Sequence, residues 1–329
     1  MIRFILQRFA QAIAVMLTVI LISFSLFNFV GDPVNNMVGE AVTAEQREVI
    51  RERLGLNEPV PVQFYRFVRN AVQGEFGISY RAGQPVGEMI LRRMPATLEL
   101  SLFAAFLALA MGIPLGVYTA LRRDSWLSRV LSIASLIGVS LPTFLIGILL
   151  ILLFSVWLGW LPSFGRGETV SIGTWSTGLL TWSGLKALIM PGVTLALFQL
   201  TLIMRLVRSE MLEVLRSDYI RFARARGLSN RAVHFSHALR NTMLPVITVA
   251  GLQVGNIIAF SIVVETVFQW PGLGHLIIQA IHFADVPVMA AYLMFIALLF
   301  VTINLIVDIL YLIVDPRLRV DRSLARGLG

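Results

Sequence analysis

Six stretches of the chain are apolar for long enough to cross a bilayer, which takes roughly 20 residues. They cover 9–30, 100–121, a run from about 130 past 157, 187–204, 243–264 and 286–307. Gly138 and Pro142 interrupt the third, which predicts a kinked or tilted helix. None of the six is long enough for two passes. Between the first two spans lies a region, 31–95, that is too long for a turn and has its own periodicity. Thr43, with Gln46 three residues later, reads as a capping box. Val49, Ile50 and Leu54 follow at helical spacing, and Gly55 stops that helix. Pro59 and Pro61 open a second helix with Phe64, Phe67, Val68, Ala71 and Val72 on one side, ended by Gly74 and Gly77. Pro85 opens a third, with Val86, Met89 and Ile90 apolar. The pattern predicts a small helical scoop. The segments 159–186 and 269–285 are shorter loops on the same side.

Composition agrees with the spans. Hydrophobic residues make up 57% of the 329 and charged residues 14%, against a usual ~25% charged. So few charges cannot furnish a water-facing surface of this size. The absence of cysteine excludes disulfides, thiolate metal sites and thiol nucleophiles.

Net charge is +8, carried by 26 Arg and the single Lys186. Such a balance can signal nucleic-acid binding. Six spans account for it better, because Arg gathers in segments that stay in the cytoplasm, so no nucleic-acid partner is expected. With the N-terminus inside, two basic residues precede span one, three lie in 122–129, eight in 205–240 and four in 317–326. The outer segments hold ten, and eight of those share 31–95 with eight acids. Both termini are therefore expected to be cytoplasmic. Arg3 and Arg8 resemble the charged start of a signal peptide. The 22-residue apolar run and the lack of a small-x-small cleavage site favour a retained anchor.

Familiar catalytic patterns fail in detail. Lys186, in Ser183-Gly184-Leu185-Lys186, lacks the glycine five residues earlier and the Ser/Thr that a phosphate-binding loop needs. His234 and His237 are not followed by the glutamate of a zinc protease, and read as structural or solvated. Gly138-Val139-Ser140-Leu141-Pro142 lacks the second glycine of a nucleophile elbow. Neither a voltage-sensing helix nor a TVGYG filter is present. No catalytic residue, cofactor or metal site is expected on this chain. Glu99, Lys186, Glu265 and Asp308 fall at span ends, within reach of headgroups or water. Glu265 stands out, because it ends an apolar run before an aromatic-proline-glycine turn. Glu265 and Pro142 are the candidates for a translocation path.

The inner loop 205–243 carries the most specific pattern. Ser217 or Asp218 can cap a short helix in which Tyr219, Phe222, Ala223 and Arg226 share a face. Gly227 can end it in a left-handed cap. Ser229 caps a second helix, 232–241, that runs to Pro245 and the fifth span. From periodicity alone this unit can lie on anionic lipid, connect two spans in solvent, or dock in a groove on a partner.

Asp218-Tyr219-Ile220-Arg221-Phe222-Ala223-Arg224-Ala225-Arg226-Gly227-Leu228, followed by His237-Ala238-Leu239-Arg240-Asn241-Thr242-Met243-Leu244-Pro245, resembles the EAA loop of binding-protein-dependent ABC importer permeases. The likeness extends to Gly31-Asp32-Pro33, Gly74-Glu75-Phe76-Gly77-Ile78-Ser79, Pro95-Ala96-Thr97-Leu98-Glu99-Leu100, Glu265-Thr266-Val267-Phe268-Gln269-Trp270-Pro271-Gly272-Leu273-Gly274 and Asp315-Pro316-Arg317. Each motif is weak alone; together and in order they are specific. The branch is the dipeptide, oligopeptide, nickel and glutathione group. The long region after span one and the start Arg3-Phe4-Ile5-Leu6-Gln7-Arg8 resemble the first permease of the pair. The departures are Asp218 where glutamate is usual, Phe222 for threonine and Arg226 for lysine.

The resemblance implies an all-α membrane protein of six transmembrane helices, with the ABC type I importer permease fold and a periplasmic helical insertion. Its parts would be 1–30, the N-terminal tail and first span; 31–95, the scoop; 96–315, the permease core; and 316–329, a cytoplasmic tail. Asp218, Tyr219, Phe222, Ala223, Ala225, Gly227 and Leu228 would couple the chain to an ATPase. A second homologous permease, two cytoplasmic ATPases carrying ATP and Mg, and a periplasmic solute-binding protein would complete an inner-membrane importer in contact with lipid. Short peptides lead as substrate, with glutathione and nickel behind. A stand-alone secondary transporter or channel is the alternative from another class, and the absence of intramembrane acid pairs weighs against it.

Overall fold

The computed structural model describes residues 2–29, 34, 43–53 and 56–314. Gly31-Asp32-Pro33, Leu54, Gly55, Asp315-Pro316-Arg317 and the tail 316–329 lie outside the described residues. The helices are α1 (Ile2–Phe29), α2 (Ala44–Arg53), α3 (Val60–Val72), α4 (Val86–Leu121), α5 (Trp126–Ser140) and α6 (Thr143–Leu150), which continues as a π-helix, Ile151–Trp157. Then come α7 (Trp182–Arg216), α8 (Asp218–Ala225), a π-helical Ala232–Leu239 running into α9 (Arg240–Val267), α10 (Leu273–His282) and α11 (Val286–Val314). Two strands, β1 (Val170–Ile172) and β2 (Trp175–Thr177), pair across Gly173, which has φ +63°. An all-α architecture is therefore amended by one hairpin within 159–186.

Among the described residues, five helices are long and apolar enough to span a membrane. The third expected span is a broken pair, bent by 111° between α5 and α6. Pro142 causes the break. It sits at the N-cap of α6 with ψ 137°, an extended value that no helix interior allows. The third scoop helix, opened at Pro85, and span two, expected from 100, are one 36-residue helix, α4, which runs through Pro95. A proline removes only one backbone bond, and neighbours in a long apolar helix compensate for it.

The chain divides into two compact units, and the division passes through α4 and α11. The first comprises 1–96, 171–176 and 271–302. Its α2 begins with the reciprocal capping box: Thr43 N donates to Gln46 Oε1 at 3.3 Å, and Gln46 N to Thr43 Oγ1 at 3.4 Å. The apolar face of α3 packs on α1, with the Phe24 ring 5.2 Å from Phe64 and 5.7 Å from Phe67. Val72, expected on that face, is 79% exposed. Gly74 takes φ +80° and closes the helix with the Glu75 N to Asn70 O and Gly74 N to Ala71 O bonds of a Schellman motif. A cavity of about 310 Å³ opens beside Phe24, Phe67, Phe76 and Met294. The following turn, bridged at Ile78 and Pro85, is held by Asp285, which accepts from Ser79 Oγ and from Tyr80 N.

The second unit comprises 97–170, 177–270 and 303–329. Its central helix is α7, whose apolar stretch is mostly buried within the chain. Close approach to α4 depends on Gly116: a Cβ there would stand 2.6 Å from Val207 Cβ. Gly112 meets Ile203 and Gly116 meets Val207. Positions rise together along the two helices, so α4 and α7 run parallel.

Candidate functional site

The chain from 217 to 239 forms a compact element built by local rules. Ser217 stands at the N-cap of α8, but its hydroxyl donates back to Val214 O at 2.6 Å, closing the end of α7 instead. Asp218 then opens α8, where its carboxylate complements the positive helix end and accepts from Arg221 at 3.1 Å. Ile220 and Ala223, three apart, are 0% and 6% exposed and fix α8 to its own chain. Ala223 thus serves an intrachain approach, rather than presenting its small side chain to solvent.

The rest of the short helix faces outward. Phe222 is 64% exposed, Leu228 41% and Tyr219 39%. The Tyr219 ring lies 6.2 Å from the His237 ring, and partial burial raises the phenol's pKa. The Arg226 guanidinium lies 5.8 Å over Phe222. The helix ends in a Schellman motif, with Leu228 N donating to Ala223 O at 3.4 Å and Gly227 N to Arg224 O at 2.9 Å. Gly227 has φ +77°, a value that costs a glycine nothing. Ser229 caps the next turn, accepting from Ala232 N at 3.3 Å. The outcome is an exposed apolar set, Tyr219, Phe222 and Leu228, on a short element that also carries Arg221, Arg224 and Arg226. Ala225 is exposed beside it.

A second polar assembly lies buried in the same unit. Arg166 Nη2 donates to Glu99 Oε2 at 2.5 Å, and Gly178 N reaches the same oxygen at 3.4 Å. Thr97 Oγ1 donates to Glu265 Oε1 at 2.7 Å, and Trp270 N donates to Glu265 O at 2.8 Å. Glu265 is 0% exposed and Glu99 6%. Neither carboxylate reaches water or headgroups, contrary to the expectation for charges at span ends. Glu99 is held by its ion pair with Arg166, as an ion removed from water requires, and Glu265 by the Thr97 hydroxyl. Pro142 is placed at the helix break, away from these hydrogen bonds.

Arg166 was not singled out in the sequence. The two motifs holding Glu99 and Glu265 were visible, but the pairing arginine comes from a loop 67 residues from Glu99. Among the described residues no group of three His, Cys, Asp or Glu is placed to hold a metal.

Residues 112–320 match the family described as the binding-protein-dependent transport system inner membrane component, and 1–101 match its N-terminal domain. This chain belongs to that family. Relatives in the family are similar over nearly the whole length. The dipeptide transport system permease protein DppB of Alkalihalophilus pseudofirmus is 37% identical over 97% of this chain and 100% of its own. A putative peptide transport system permease protein of Brucella abortus is 43% identical, covering 96% and 99%. The oligopeptide transport system permease protein AppB of Bacillus subtilis is 41% identical, covering 96% and 98%. The fold is similar to a solved inward-facing structure of the MetNI methionine ABC transporter, with a TM-score of 0.54 at 20% identity over 69% of this chain and 96% of that one. A multi-pass permease subunit of an ABC importer is thus the identity these matches carry.

Proposed function

We propose that the chain is one of two homologous permeases in an ATP-driven importer of short peptides across a bacterial inner membrane. The observation that carries the substrate class is the set of relatives, 37–43% identical along the whole chain and named for dipeptide, oligopeptide or peptide transport. Six crossings follow if the α5–α6 pair crosses once. The parallel course of α4 and α7 supports that count, since two spans of the same direction must be separated by one crossing. Both termini and 205–243 are then cytoplasmic, and 31–95 is a periplasmic scoop ahead of the permease core, 96–315, with 316–329 as the cytoplasmic tail.

Two ATPases inside would hold ATP and Mg, and a periplasmic binding protein would deliver peptide. This chain carries no phosphate-binding loop of its own, so its work is alternating access rather than bond-making. Tyr219, Phe222, Ala225, Gly227 and Leu228 are the coupling surface, with Asp218 and Ala223 fixing it. A groove on an ATPase would grip the exposed Phe222 ring, and closure of two ATPases would move α8 as a rigid body with α9. Glu265 and Pro142 are the path candidates: Pro142 as a bend, Glu265 as a buried charge that rearrangement can expose.

The test is uptake of labelled dipeptide into vesicles holding the full importer, with ATP and binding protein. Accumulation that requires this chain and ATP supports the proposal. Accumulation of glutathione or nickel in place of peptide would change the substrate, and ATP-independent uptake would overturn the importer reading.

A further inference from the structure

Two spans meet through side-chain amides within their apolar runs. Gln199 Nε2 of α7 donates to Gln253 Oε1 of α9 at 3.2 Å, and Asn256 Nδ2 donates to the same oxygen at 2.7 Å. Gln253 lies halfway along the run 243–264, about 15 Å of helix from either end. Gln199 lies within the run 187–204. All three residues belong to the second compact unit. Polar side chains at this depth are costly in hydrocarbon, so they turn to a bundle interior or to a water-filled cavity.

The three amides do not satisfy one another. Gln199 is 2% exposed, and its Oε1 has no hydrogen-bond partner among the described residues. Gln253 Oε1 accepts both bonds, which leaves Gln253 Nε2 and Asn256 Oδ1 without a partner among the described residues. The trio therefore holds spare donors and spare acceptors together.

Asn256 opens onto a face that the described residues leave bare. On another side of α9, Gly251 packs against α11: a Cβ there would stand 2.6 Å from Val307 Cγ1. Asn256, five residues on, is turned about 140° from that contact. It is exposed, in line with exposed Leu252, Phe260 and Val263. Asn256 is the one polar side chain of that stripe. A fixed contact between spans favours small residues that let backbones approach. This stripe is bulky and apolar around a single amide. It suits a passing molecule that is apolar in its side chains and polar in its backbone.

A peptide group is such a molecule's polar part, and it presents one C=O and one N–H. Gln253 Nε2 can donate to the first and Asn256 Oδ1 can accept from the second. Neutral amides also take peptides of any charge, and they release them more readily than an ion pair would, as a conducting path requires. We infer that Gln253 and Asn256, backed by Gln199, form a transit contact for the peptide groups of the substrate inside the translocation path. The inference rests on the importer reading proposed above and names residues of its path.

The test uses the full importer in vesicles, with Asn256→Cys as the only thiol of this chain. A charged methanethiosulfonate reagent should modify that thiol, read by the mass of this chain. Turnover with ATP, binding protein and a mixture of di- and tripeptides should slow the modification at least fivefold, compared with ATP and binding protein alone. Labelling only by a membrane-permeant maleimide assigns the face to lipid and overturns the contact. A cross-link from the thiol to the second permease, with no reaction with the charged reagent, assigns it to a subunit interface and overturns it too. Labelling that peptides do not slow makes the site wet but not a peptide contact, and also overturns it. Asn256→Leu should lower the peptide moved per ATP hydrolysed at least fivefold, with assembly and basal ATPase activity near the parent's, and Asn256→Gln should keep most of the parent ratio. A leucine variant with the parent ratio overturns the contact; if that variant does not assemble, the labelling result decides. A parent that imports no peptide overturns the importer reading, whereas a parent that imports peptide without protecting the thiol overturns this inference alone.

Discussion

Arg166 and Glu99 form an ion pair at 2.5 Å with each side chain 6% exposed, far from each other in sequence and sealed from water. Breaking such a pair from one side strands a charge, which costs about 3–5 kcal/mol, whereas replacing both partners costs much less. Arg166→Ala should therefore lower the apparent Tm of the purified protein strongly. Glu99→Gln combined with Arg166→Met should lower it less. A single variant as stable as the double would show that the pair carries no weight in the fold.

That pair marks the limit of what the sequence discloses. The capping box at Thr43 and Gln46, the left-handed Gly227 and the Ser229 cap were legible because each is decided within four residues. The spans were legible because a bilayer imposes their length. Glu99 and Glu265 were placed in reach of water because position along a span says nothing of which side chain arrives from a distant loop. Ala223 was read as an outward-facing small residue, since the i, i+3, i+4 pattern of α8 fits two faces and only the packed chain shows that Ile220 and Ala223 turn inward. The helix continuing through Pro95 was hidden because proline is a strong stop signal in water and a weak one in a long apolar helix.

Gly227 supplies the next prediction. A Cβ there would meet nothing within 4 Å, so the obstacle to substitution is its φ of +77° alone. Gly227→Val should cost about 1–3 kcal/mol of local backbone strain and undo the Schellman cap. Gly227→Asn should be tolerated, because asparagine enters the left-handed region readily. Co-purification of the ATPases should fall several-fold with valine and stay near the parent level with asparagine. Equal loss with both would point to space rather than conformation.

Neighbouring residues of α8 should behave differently. Ala223→Glu places a charge inside the chain's own packing, a cost of several kcal/mol, and should loosen α8. Limited trypsin digestion should then cut faster at Arg224 and Arg226. Phe222→Ser, at a position 64% exposed, should leave digestion unchanged, with stability within about 0.5 kcal/mol, yet reduce ATPase capture. Faster digestion of the Phe222 variant would make that ring a packing residue.

In α10, His275 hydrogen-bonds Gln279 at 2.9 Å, and its pKa is lowered first by burial and then by the charge of Arg93. Because the folded value lies below the unfolded one, near 6.5, the neutral ring's contribution is complete above that pH. It is lost as pH falls from there towards the folded value. The Tm of the parent should drop more between pH 7.5 and 5.5 than that of His275→Gln. Identical drops would mean that other groups set the acid sensitivity.

The central claim is that α8 is the contact through which ATP hydrolysis moves this permease. The chain has no native cysteine, so Phe222→Cys gives a single thiol on the exposed side of α8. The decisive measurement is cross-linking from that thiol to the co-expressed ATPase in uptake-competent membranes. The account predicts a cross-linked band of permease plus ATPase, formed from Phe222→Cys but not from a cysteine at Gln46 in the outer region. Absence of that band, with the thiol labelled instead by an impermeant reagent added to intact cells, would contradict both the coupling role and the orientation of the chain.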